Sequence, residues 1–63
     1  MSDQEVLAVV LQRVQEMCQG HDVRFEAYMD GRVPVVLVIN KDDESLWVKH
    51  SVSRVQAEAW ARP

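Results

Sequence analysis

Residues 23–40 read VRFEAYMDGRVPVVLVIN, and this stretch decides the fold. From Val23 to Met29 two rows alternate: Val23, Phe25, Ala27 and Met29 in one, Arg24, Glu26 and Tyr28 in the other. A period of two with one apolar row is the pattern of a half-buried β-strand. Asp30-Gly31 follows, a tight-turn signal, because glycine takes positive φ without steric cost. Beyond it the chain from Val33 to Lys41 is nearly all apolar, through Val35, Val36, Leu37, Val38 and Ile39. That composition suits a central strand with neighbours on both sides. The register of the hairpin stays open. Pro34 cannot donate a ladder hydrogen bond, and loops of two, three or four residues all fit. A three-residue loop ending at Gly31 gives the cleanest apolar row, with Val33, Val35, Leu37 and Ile39 beside Val23, Phe25 and Ala27. A slip of one residue would reverse the face.

On the N-terminal side of this hairpin the pattern is helical. Ser2-Asp3-Gln4-Glu5 is a capping box, in which serine hydroxyl and glutamate carboxylate each satisfy the other's backbone amide. Val6, Leu7, Val10, Leu11, Val14, Met17 and Cys18 then fall on one face at i, i+3, i+4 spacing. Gly20 stands where a left-handed residue would end a helix, so a helix is expected over Asp3–Gln19. On the C-terminal side, Asn40-Lys41-Asp42-Asp43-Glu44 reads as a charged turn. Leu46, Val48, His50 and Val52 alternate with Trp47, Lys49 and Ser51 in a third strand. Ser53-Arg54-Val55-Gln56 repeats the capping-box pattern and opens a short alanine-rich helix ending at Pro63.

The expected fold is therefore α+β, in the order α-β-β-β-α, with residues 1–63 forming one domain. A three-stranded antiparallel sheet carries the long first helix on one face, with the short second helix at the end of the chain. The expected core is Leu7, Val10, Leu11, Val14, Met17, Phe25, Val35, Leu37, Ile39, Leu46 and Val48. This order resembles the double-stranded-RNA-binding domain in outline. That family opens its second helix with lysines that clamp phosphates across a groove. The matching stretch here, Ser53-Arg54-Val55-Gln56-Ala57-Glu58, holds one base and one acid. The resemblance covers the topology and not the binding chemistry.

The 63 residues are 48% hydrophobic and 27% charged, the profile of a folded chain. The net charge of −3 argues against nonspecific binding to a polyanion. No basic leader precedes an apolar stretch, and no apolar run approaches the ~18–20 residues of a membrane span. Neither export nor membrane insertion is expected, and the single thiol fits a reducing compartment, so the expected location is the cytoplasm. A domain this small leans on disulfides, a metal or a partner. One cysteine makes no internal bridge, which turns attention to a partner chain.

Chemistry-bearing motifs are sparse. Cys18 and His21 stand three residues apart, but a metal needs three or four ligands and His50 lies on a distant strand. Asp42, Asp43 and Glu44 lack the spread of oxygen ligands and central glycine of a calcium loop, and read as a solvated turn. Glu26 has no second acid beside it, and no glycine-rich phosphate loop or nucleophile elbow occurs. No catalytic residue, metal site or cofactor is expected.

The candidate site is instead the sheet face that the helix leaves bare. In the favoured register it carries Arg24, Glu26, Tyr28, Val36, Val38, Trp47 and Lys49, aromatic anchors with a polar rim. Trp60 joins this set, either docked in its own core or anchored in another chain. Val9, off the apolar stripe of the first helix, is a further hint of contact. The expected function is a noncatalytic protein-binding module, a small regulator or inhibitor of the kind phage and mobile elements carry. It would dock on a larger protein or form a homodimer through Tyr28, Val36, Val38, Trp47, Lys49 and Trp60. Self-pairing is expected at the edge strand from Val23 to Met29. The alternative, ranked lower, is a nucleic-acid-binding domain. There Tyr28 and Trp47 stack bases while Arg24, Arg32, Lys49 and Arg54 meet phosphates.

Overall fold

The computed structural model describes residues 1–62, and the expected helix end at Pro63 lies outside them. The element order is α1 (Asp3–Met17), β1 (Val23–Asp30), β2 (Val33–Asn40), β3 (Trp47–Ser51) and α2 (Arg54–Trp60). This is the α-β-β-β-α order of an α+β fold, with one open antiparallel sheet in the order β1-β2-β3. The capping box at the start of α1 is complete: Glu5 N–H donates to Ser2 Oγ and Ser2 N–H to Glu5 Oε1, both at 3.2 Å. α1 closes before the expected Gln19, with Cys18 as its cap and Gly20 at φ 85° turning the chain toward β1. The Ser53 hydroxyl accepts from the Gln56 amide at 3.1 Å and opens α2.

The hairpin register differs from the favoured one. Asp30 pairs with Val33, so Gly31 and Arg32 alone make the loop. Gly31 has φ 61° while no non-glycine residue has positive φ, the pattern of a type II′ turn, whose twist matches that of the strands it joins. Phe25 consequently faces Val38 and Ala27 faces Val36, whereas Val35 pairs with Tyr28, Leu37 with Glu26 and Ile39 with Arg24. Pro34 is tolerated within the central strand for a definable reason. The Asn40 amide donates to the Leu46 carbonyl at 3.0 Å, so amides of even-numbered β2 residues point toward β3. The amide that Pro34 lacks would point the same way, past the last β2–β3 pair, Val35 with Ser51. No ladder bond is lost there.

α1 packs on β1 and β2 and against α2. Val6, Val10, Val14, Val36 and Ala57 form the buried cluster, with Leu11, Cys18, Phe25, Val38, Val52 and Trp60 partly buried around it. The register corrects the expected core and the expected face together. Val36 is fully buried and Val38 half-buried under α1, so neither lies on the bare face. Val35, Leu37 and Ile39 occupy that face instead. Met17, Leu46 and Val48, expected inside, are each more than half exposed. Leu46 and Val48 are exposed because α1 lies over the first two strands and leaves β3 largely uncovered, whereas Met17 is the last residue of α1. Among the described residues no helix is long and apolar enough to cross a membrane.

Candidate functional site

Three consecutive large apolar residues, Leu46 just before β3 and Trp47 and Val48 at its start, all face solvent. Leu46 is 58% exposed, Trp47 57% and Val48 57%. Alternation places Trp47 on the bare sheet face and Leu46 and Val48 on the helix side, so the strip shows on both faces of one edge. Below Leu46 and Val48 lies a shallow concavity bordered by Val23, Val38, Asn40 and Ser45. The loop before β3 is held by short-range bonds. Asn40 Oδ1 accepts from the amides of Asp42 at 2.8 Å and Asp43 at 3.0 Å, and Asp43 Oδ1 accepts from the Ser45 hydroxyl at 2.6 Å and amide at 3.1 Å. The Ser45 bonds hold the Asp43 carboxyl below its ordinary range. The acidic trio thus serves as a turn that presents Leu46 and Trp47.

On the bare face β2 supplies a floor and the outer strands supply walls. Val35 and Ile39 are buried there with no helix above them. Arg24 explains the cover over Ile39. Its guanidinium donates to Glu26 Oε1 at 2.7 Å and reaches across to Glu44 Oε1 at 3.3 Å, so its apolar stem crosses the residue it pairs with. The bond to Glu26 and the nearby acids raise the Arg24 pKa above its ordinary value. Tyr28, 42% exposed, lies opposite Val35, whereas Trp47 lies opposite Ile39. Four residues of β2 separate those positions, about 13 Å along the strand. Glu26, Leu37 and Lys49 fill the row between them. The two rings therefore share a face without forming one anchor.

The remaining expected positions divide. Lys49 is exposed on the bare face beside Trp47. Trp60 packs against its own core cluster, with the Arg13 guanidinium 4.8 Å from the ring centroid. Val9 lines the crevice between α1 and Trp60, so its place off the main stripe receives α2. Of the residues expected to meet phosphates, Arg24 is bound to Glu26 and Glu44, and Arg54 to Asp3 at 2.7 Å and Glu58 at 3.5 Å. Cys18 is half-buried against the core cluster, and among the described residues no three His, Cys, Asp or Glu side chains converge as a metal site. Sequence reasoning missed Leu46 and Val48 as surface residues. Alternation puts both in the helix-side row, and they stay exposed because α1 rests over β1 and β2. No protein-family model, curated protein or solved structure matches the chain.

Proposed function

We propose that this protein is a noncatalytic binding module, a small cytoplasmic regulator or inhibitor that docks on another protein chain. The observation that carries the reading is the exposed Leu46-Trp47-Val48 strip on the open edge of the sheet. Contiguous apolar surface with a large aromatic at its centre and a charged surround is the composition of an interface. Lys49, Arg24 and Glu44 supply the surround, and Tyr28 extends the contact along the bare face.

Protein is preferred to nucleic acid as the partner because Arg24 and Arg54 are already held by acids of their own chain. The separation of Tyr28 and Trp47 also denies neighbouring bases a shared stacking platform. The test is affinity capture from the source cell's lysate with the wild-type chain and with Trp47→Ala. A species held by the first and lost from the second supports the reading. If Trp47→Ala retains every species that the wild type captures, the reading is wrong. An oligonucleotide titration at low salt should be flat, and binding that weakens steeply with added salt would transfer the function to nucleic acid.

A further inference from the structure

Resting on the docking reading above, we propose that the occupant of the β3 edge is a second copy of this chain. The two β3 strands would pair antiparallel about a two-fold axis at Val48. Three observations converge on this arrangement. First, β3 has a free edge: among the described residues it pairs with β2 only. The Asn40 amide bond to the Leu46 carbonyl fixes which groups that edge offers. Leu46, Val48 and His50 turn their backbone polar groups toward β2, so Trp47, Lys49 and Ser51 turn theirs outward. Second, the apolar strip lies on this edge and not on β1, whose bare face carries Arg24 and Glu26 in an ion pair. The edge strand expected to self-pair is thus the less suitable of the two.

Third, the charges select the partner and the register. The chain is acidic before β3, at Asp42, Asp43 and Glu44, and basic within it, at the exposed Lys49. Antiparallel self-pairing lays the acidic end of one copy toward the basic end of the other. With the axis at Val48, Trp47 of each copy faces the other copy's Lys49, so outward-turned residues meet outward-turned residues and each ammonium lies beside an indole. Moving the axis to Lys49 would set the two ammonium groups face to face, which is destabilising. With the axis at Val48, that residue meets its own counterpart on the helix side and closes the concavity below Leu46. The product is a continuous six-stranded sheet with both long helices on one side, and an isologous contact that stops at two copies.

Sedimentation of the intact chain across a dilution series from ~1 mM to ~1 μM brackets the range where so short a strand contact changes state. The expected average mass rises from one chain to two and no further. Val48→Asp should remain one chain at every concentration with an unchanged circular dichroism spectrum, since Val48 is an exposed side chain. In a Cys18→Ser background, Val48→Cys should cross-link into a dimer under diamide, because paired residues without mutual hydrogen bonds lie within disulfide reach. Lys49→Cys should cross-link poorly. A single-chain mass throughout overturns the dimer, and so do species larger than two chains. Cross-linking that favours Lys49→Cys overturns the register. The docking reading itself stands or falls separately, on the Trp47→Ala capture comparison. A chain that stays single yet still loses a captured protein on Trp47→Ala has a foreign partner instead.

Discussion

At the scale of single residues, side chains that the sequence treats as equals divide into two kinds. Trp47 and Trp60 are both aromatic, yet Trp60 packs against its own core under Arg13 while Trp47 is 57% exposed. Trp47→Ala should therefore leave thermal stability nearly unchanged and lower affinity for the protein partner by ~2 kcal/mol or more, as truncation of a central aromatic does. Titration calorimetry against the captured partner reads the affinity, and thermal melting reads the stability. Valines divide in the same way. Val36→Ala removes methyl groups from a fully buried site and should cost roughly 2–3 kcal/mol in a denaturant melt. Val48→Ala on the exposed strand should change stability by less than ~0.5 kcal/mol. Equal effects from the two substitutions would mean that Val36 does not face α1 and that the hairpin pairs in another register.

At the scale of elements, turns and caps hold positions that packing alone would leave loose. Gly31 carries φ 61°, and an added Cβ there would meet no atom within 4 Å. Gly31→Ala should therefore be destabilising through backbone conformation alone, by about 1–2 kcal/mol. Chemical denaturation measures this, and a neutral result would argue against the two-residue turn. At the start of α1, bonds from Ser2, with the amide contributing most, lower the Glu5 pKa. A depressed carboxyl pKa favours the folded state above the unfolded-chain value, and that contribution disappears as pH falls through the folded value. Wild type should accordingly melt above Glu5→Gln at neutral pH, with the difference closing in acid. A gap that widens on acidification would contradict the capping role of Glu5. Both the turn and the cap were legible in the sequence, because Asp-Gly and Ser-x-x-Glu act through bonds between near neighbours. The length of the turn was not legible, because β2 is apolar in both of its rows and rewards either register.

At the scale of the whole molecule, one helix of 15 residues must cover three strands, and it covers mainly two. α2 extends the cover by docking on α1 beside Val9, which leaves Trp60 half-buried against its own core. A seven-residue helix has no stability in isolation. Trp60→Ala should therefore speed hydrogen exchange at the amides of Ala57 and Ala61 while those of β2 stay protected. Uniform acceleration throughout the chain would show instead that Trp60 holds the whole core. The surplus left by this arrangement is the edge strip Leu46-Trp47-Val48, from which both the docking proposal and the two-fold pairing follow. The sequence by itself determined the element order, both helix starts, the tight turn at Gly31 and the exposed lysine and indole of β3. Each of these follows from side-chain periodicity or from contacts a few residues apart. Only the tertiary structure decided that Val36 and Val38 lie inward, that Val35 and Ile39 face the bare side, and that Leu46 and Val48 stay outside. Those outcomes depend on where α1 comes to rest over the sheet, a long-range packing choice that local pattern does not encode.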